Sequence, residues 1–243
     1  MITTACWNIR GLNLNHKQDE VKALVFANKV SLLGLVETKV RSPKHLDLAR
    51  NLLPGWKFFF NYSCHRLGRI WVAWDPLILS VSLLVSTTQL MHVSVRIIQT
   101  DQMFLSSFVY GLNEASNRAA LWDTIRSLSS SIQIDPWVVL GDFNVVRFTS
   151  EKLGRDVFGN PAMEAFNDCC YAAELEDIKY VGHHFTWSNK SSGRRMKSRK
   201  LDRALAHSSW LSTFPNSEVL FAPPGISDHS PIILRTGIPL PKL

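Results

Sequence analysis

An α/β fold, with helices layered on extensive β-sheets, is what the sequence predicts, and three observations predict it. Apolar stretches of strand length recur along the whole chain, helical patterns are interspersed among them, and no regular strand–helix alternation links the two. In order, "ITTACWNI" reads as a first strand and "KQDEVKALVFAN" as a helix, with Asn15 and Gln18 spaced as a weak capping box. "VSLLGLVE", "WKFFFNY", "RIWVAW", "LILSVSLLV", "MHVSVRII" and "FLSSFVY" follow as strands. Between Trp56 and Tyr110 no helix is predicted, and alternation such as "HVSVRI" points to antiparallel pairing. "SNRAALWDTIRSLSSS" predicts a second helix before the strand "PWVVLGD". "NPAMEAFNDCCYAAEL" predicts a third, with Asn160 as N-cap and Pro161 at the first helical position. "HFTWSN", "SEVLFA" and "SPIILR" complete the strands.

The chain has 243 residues, 46% hydrophobic and 10% aromatic, enough for a sizeable core. "MITTACWNIR" lacks the basic start and long apolar segment of a signal peptide, and no apolar run approaches the ~18 residues of a membrane span. Cys6, Cys64, Cys169 and Cys170 show neither metal spacing nor a disulfide framework, which suits idle thiols in a reducing intracellular compartment. No glycine-rich phosphate cradle is present, so no nucleotide cofactor is expected. The net charge of +7 is concentrated: "KSSGRRMKSRKLDR", residues 190–203, carries seven basic residues and one acid, while the rest nearly balances. Such a patch suits a polyanion, with nucleic acid ahead of an anionic membrane.

Polar residues recur where apolar runs meet turns. Asn8 ends "ACWN", Glu37 ends "LLGLVE", Asp142 and Asn144 follow "WVVLG", and Asp202 interrupts "KLDRAL". Asp228 and His229 lie side by side in "PGISDHSPII". Each alone reads as a cap or turn residue. Together they offer carboxylates, amides and one imidazole, a hard-oxygen set that suits Mg²⁺ or Mn²⁺ and metal-assisted phosphoester hydrolysis. Trp7, Trp74 and Trp187 are expected to anchor the core, and the remaining histidines fit no motif.

The motifs "CWNIRGLN", "LLGLVETK", "FVYGLNE", "VVLGDFN", "FTWSN", "KLDRAL" and "GISDHSPI" occur in the order found in the endonuclease/exonuclease/phosphatase superfamily, the deoxyribonuclease I-like enzymes, which the chain resembles from residue 2 to about 235. "NEASNRAALW" and "FPNSEVLFAPPGISDHSPIIL" look in particular like the endonuclease domain of plant LINE-type (non-LTR) retrotransposons. The resemblance implies a four-layer α/β sandwich of two packed mixed β-sheets flanked by helices, and although LINE endonucleases normally lead a longer protein, a single domain over 1–243 with no reverse transcriptase region is expected here. It implies a DNA-nicking endonuclease dependent on Mg²⁺ or Mn²⁺, expected in the nucleus. Glu37, Asn8 and Asp228 would hold the metal. Asp142 would orient and deprotonate water, Asn144 and Tyr110 would meet the phosphate, and Asp202 would pair with His229. Either Asp142 or His229 serves as general base at this stage. Asn113 and Thr186 would flank the DNA, and Arg194, Arg195, Lys197, Arg199 and Lys200 would contact its phosphates from a surface hairpin. A superfamily phosphatase acting on inositol or lipid phosphates, or a noncatalytic DNA-binding remnant, are the alternatives.

Overall fold

The computed structural model describes residues 1–132, 134–154 and 161–237. In chain order the elements are β1 (Thr3–Asn8), α1 (Asn15–Asn28), β2 (Leu32–Val36), α2 (His45–Leu52), β3 (Lys57–Phe60), β4 (Ile70–Trp74), β5 (Leu79–Ser86), β6 (Leu90–Ile97) and β7 (Met103–Tyr110). They continue with α3 (Ala119–Ser131), β8 (Trp137–Asp142), β9 (Lys152–Leu153), α4 (Pro161–Ala172), β10 (Leu175–Asp177), β11 (Tyr180–Gly182) and β12 (Trp187–Ser188). The last are β13 (Ser198–Arg199), β14 (Asp202–His207), α5 (Ser208–Thr213), β15 (Glu218–Phe221) and β16 (Ile232–Arg235).

Two mixed sheets pack face to face and helices cover their outer faces. One sheet has the order β11-β15-β16-β1-β2-β4-β3, the other β10-β14-β8-β7-β6-β5. β12, β13 and β9 form a small third sheet beside them. The strands read as almost continuous apolar runs because both of their faces are covered: β1, β2, β4, β8 and β14 are buried at every position. One core lies between the sheets, including Val36, Ile70, Val72, Val93, Phe104, Phe108, Leu140 and Ile232. A second joins α3 and α4 to the six-stranded sheet through Trp122, Ile125, Phe143 and Phe166. A third joins α1 and α2 to the seven-stranded sheet through Val21, Val25, Ala49, Leu52 and Trp71. Gly34 marks how closely the sheets approach, because a Cβ there would lie 2.1 Å from the Phe108 ring of the opposing sheet.

Several local expectations change in the fold. Asn15 is not a cap: α1 starts from Leu14 without a side-chain cap, and Gln18 donates instead to the Leu12 carbonyl. α4 begins at Pro161 as expected, while its expected cap Asn160 lies outside the described residues. Asp202, expected to interrupt an apolar run, opens β14. Among the described residues no helix is long and apolar enough to cross a membrane. Trp7 and Trp74 are buried, and Cys6, Cys169 and Cys170 are buried free thiols.

Candidate active site

Strand register brings the polar residues to one edge of the sandwich. In the six-stranded sheet Tyr110 of β7 and Asp202 of β14 both pair with Asp142 of β8, so three adjacent strands deliver them in a row. In the seven-stranded sheet Asn8 pairs with Val36, which puts Glu37 one residue beyond the parallel pair β1–β2. His229 precedes β16, bridges Trp187, and is held by its carbonyl, which accepts from Trp7 Nε1 (2.9 Å). Ser227 Oγ donates to the Asn8 carbonyl (2.7 Å), tying the "SDH" turn to the end of β1. At Gly141, φ is +147° and a Cβ would meet the Val109 carbonyl at 2.1 Å, so only glycine lets β8 run against β7 up to Asp142.

Asp142 is fixed by amides. Its Oδ2 accepts from Asn8 Nδ2 at 2.8 Å and from Asn144 Nδ2 at 3.3 Å, and its Oδ1 accepts from the Asn144 backbone N–H at 2.9 Å. Asn144 reaches back because it turns with a φ of 52°, with Phe143 buried beneath it. Burial pushes the Asp142 carboxyl up to about 6, against the opposing pull of His229. His229 Nδ1 lies 2.9 Å from Asp202 Oδ2, and its Nε2 is 3.8 Å from Asp142 Oδ2. Burial disfavours its cation, yet Asp202 and then Asp142 overcome that and raise it to about 9. At neutral pH the pair is therefore a carboxylate beside an imidazolium. Tyr110 is raised well above the usual tyrosine value by burial, with Glu37 and Asp142 adding to it, so its hydroxyl stays neutral.

Above this floor opens a cleft of about 340 Å³, lined by Arg10, Glu37, Asn113, Asp142, Asn144, Trp187, Arg199, Leu201 and His229. Arg118 is buried and donates to the carbonyls of Leu112 and Asn113 (2.7 and 2.8 Å), fixing the loop that presents Asn113. Glu37 meets Lys39 Nζ at 2.7 Å and Arg10 Nε at 3.8 Å. Asp228 accepts from Trp187 Nε1 at 2.9 Å and from Arg10 on the same oxygen, Oδ2. Burial works against its charged form, but His229, Arg10 and Trp187 outweigh it and hold the carboxyl below the usual range.

Two donor sets can take a hard cation. Asp142, Asp202 and His229 offer ligand atoms within 4.8 Å of one another. An imidazole protonated near neutrality, however, has no lone pair to give. Glu37 and Asp228 fit better: both carboxylates face side-chain cations, and among the described residues Asp228 Oδ1 is buried with no hydrogen-bond partner and Asn8 Oδ1 accepts only the Arg10 N–H (3.1 Å).

The basic stretch divides. β12 and β13 form the expected hairpin, braced where Asn189 Nδ2 donates to the Arg195 carbonyl (2.8 Å), and Lys190, Arg194 and Arg195 are exposed on it. Lys197 and Arg199 are half-buried, and Arg199 lines the cleft. Lys200 does not reach the surface. It is 3% exposed, with its ammonium 3.8 Å from the Tyr180 ring centre and 3.7 Å from Asp177, so burial removes it from the phosphate contacts expected of it. Thr186 is likewise buried at 1%, and its hydroxyl accepts from the backbone N–H groups of Leu201 and Asp202 (3.0 and 2.9 Å). It positions Asp202 rather than flanking DNA. Sequence reasoning missed Arg10 and Lys39, whose only signal was their place beside "N" and "ET", and took Trp187 for a core anchor alone.

The two-sheet α/β frame thus carries a carboxylate–imidazole floor at its edge. The chain belongs to the endonuclease/exonuclease/phosphatase family, which it matches over residues 5–229 and which comprises metal-dependent nucleases and phosphodiesterases. Its fold is shared by the endonuclease domain of TRAS1, a telomere-specific non-LTR retrotransposon, at 13% identity and TM-score 0.73, covering 98% of this chain and 99% of that one. The AP endonuclease LMAP from Leishmania major superposes with TM-score 0.73 at 16% identity, covering 96% of this chain and 86% of that one. TDP2 of D. rerio, complexed with a single-strand DNA product, gives 0.64 at 12% identity, over 96% and 97%. No curated protein matches the sequence.

Proposed function

We propose that the chain is a DNA-nicking endonuclease of plant LINE-type retrotransposon origin, acting with Mg²⁺ or Mn²⁺ on nuclear DNA. The observation that carries this reading is the buried Asp142 beside His229, which is itself backed by Asp202 at 2.9 Å, on the floor of a cleft whose rim is a cationic hairpin. With His229 raised to about 9 the imidazole is already protonated, so Asp142 takes the proton of the attacking water. His229 then stabilises charge on the phosphate oxygens, as a donor fixed before the reaction begins. Tyr110 and Asn144 orient the phosphate, and Asn8 holds Asp142 in place. Glu37 and Asp228 would hold a divalent ion, which would supply positive charge for the phosphate oxygens. Arg194 and Arg195 seat the duplex backbone, which favours DNA over a lipid or inositol phosphate.

Supercoiled plasmid incubated with the protein and Mg²⁺, with and without chelator, tests this. Open circles are expected in Mg²⁺ alone, with Glu37→Ala and Asp142→Ala slower by at least about a hundredfold while folded. Intact plasmid with wild-type protein, or phosphate release from inositol phosphates in its place, overturns the reading.

A further inference from the structure

Left-handed backbone is concentrated around the cleft. Among the described residues eight non-glycines have positive φ, and four of them, Arg10 (49°), Glu37 (56°), Lys39 (54°) and Asn144 (52°), border the site. This conformation costs an L-residue roughly 1–2 kcal/mol and persists where surrounding structure holds it. Three of the four make one ionic group. Lys39 and Arg10 take the two oxygens of Glu37, and Arg10 reaches on to Asp228, so one guanidinium spans both carboxylates. The carboxylates are recessed, 13% and 15% exposed, while the Arg10 and Lys39 side chains are 45% and 46% exposed and can leave for solvent with little rearrangement.

We propose that Arg10, seconded by Lys39, is a place-holding cation: it neutralises Glu37 and Asp228 while no metal is bound, is displaced when a divalent ion enters, and then clamps a phosphate flanking the scissile one. The inference rests on the assignment of Glu37 and Asp228 as ion ligands. Charge balance supports it. Arg10 and Lys39 balance the two carboxylates and Lys17 adds a further charge beside them, so an incoming divalent ion leaves an excess of positive charge that a phosphodiester backbone neutralises. A destination for the guanidinium is also built. Arg10 lines both the catalytic cleft and an adjoining open cleft of about 320 Å³ with Lys17, Asn189, Lys190 and Ser227. Lys17 Nζ donates to the carbonyls of Ile9 and Arg10 (2.6 and 2.9 Å), pinning the backbone while the arginine side chain turns. Ion and DNA therefore help each other bind, and because coupling between sites is reciprocal, each strengthens the other by the same factor.

The test is Mn²⁺ titration followed by the electron paramagnetic resonance of the free ion, in wild type, Arg10→Gln, Arg10→Asn and Glu37→Gln. Asparagine is included because it tolerates the left-handed conformation at residue 10 without the charge. In the DNA-free protein both Arg10 variants should bind Mn²⁺ more tightly, by on the order of tenfold, since a competing cation is gone. A second titration uses a short duplex and an Asp142→Asn background that does not cut. There the duplex should tighten Mn²⁺ binding when Arg10 is present, and clearly less in Arg10→Gln. Unchanged or weaker Mn²⁺ affinity in both Arg10 variants overturns the place-holding role, even where Glu37→Gln loses the ion and the metal site stands. Wild-type Mn²⁺ affinity in Glu37→Gln overturns the metal assignment itself, and the place-holder with it.

Discussion

His229 is a cation kept between two carboxylates, and its behaviour sets what single substitutions should do. Nicking needs Asp142 as a carboxylate and His229 as an imidazolium. The rate should therefore fall as pH drops through about 6 and again as it rises through about 9, with a plateau between. Asp202 is the foremost group raising His229 and also raises Asp142, so in Asp202→Asn the alkaline limb should move to lower pH and the acid limb should shift down with it. Single-turnover rates across pH 5 to about 10 check both, and an alkaline limb unmoved in Asp202→Asn separates the two residues. The same contact makes His229→Ala and Asp202→Ala non-additive: the double variant should be scarcely slower than His229→Ala alone. These residues were legible because each sits inside a short motif whose neighbours fix its direction. Arg10 was not, since its partner Asp228 lies 218 residues away and nothing in "NIRG" announces it.

At the scale of elements, the basic stretch illustrates how charge read from sequence splits once folded. The exposed part, Lys190, Arg194 and Arg195 on the β12–β13 hairpin, should act on DNA as a set of phosphate contacts. Changing all three to alanine is expected to weaken DNA binding and lower the logarithmic salt slope by up to about 0.9 for each lost contact, while bound plasmid is still cut. Binding isotherms across salt concentrations measure this, and an unchanged slope makes the hairpin a solvated loop. The other part is structural. Arg203 at the start of β14 is fully buried, donates to Glu151, and lies 3.0 Å from Asp177, which also binds Arg147 at 3.0 Å. Removing one member of a buried network strands its partners, so Arg203→Met should lose about 3–5 kcal/mol in urea denaturation, far more than the hairpin variant. Periodicity could not distinguish Lys200 and Arg203 from Arg194, because burial of a charge depends on the acids that tertiary folding brings to it. Helix α2 and the short α5, β10 and β11 were missed for a related reason: at 8, 6, 3 and 3 residues they carry too few turns or alternations to show a period and are stabilised by packing.

For the whole molecule, stacking two sheets with their strands covered on both faces makes the buried ionisable groups a matter of stability as well as chemistry. The layered α/β architecture followed from recurring apolar runs, but the pairing order of the sheets did not, because neighbours such as β1 and β16 are joined only by long-range contact. Three buried groups, His92, Asp142 and His229, carry large shifts. His92, buried against Ser107 in the six-stranded sheet, is lowered by burial to about 4, so from 6.5 down to 4 the unfolded chain binds a proton that the fold refuses. On that count stability rises with pH in this range. Asp142 works oppositely: from 3.8 to about 6 the fold keeps a proton that the unfolded chain releases, and stability falls with pH. These two oppose each other, while Asp177 and Asp228, held below the ordinary carboxyl value in the fold, remove stability as pH falls below 3.8. His229 has no such counterweight, since its folded value near 9 exceeds the unfolded 6.5, and its stabilisation is complete below 6.5 and lost as pH rises through 9. A gap of that size corresponds to about 3 kcal/mol over the interval. In chelator, urea midpoints should be highest between about pH 4 and 6.5 and decline steadily towards 9. His229→Gln, which keeps a hydrogen-bonding group without the titration, should flatten the alkaline decline. A midpoint that falls as steeply in His229→Gln as in wild type would show that other groups govern the alkaline limb and that the imidazolium is not held as strongly as its two carboxylates imply.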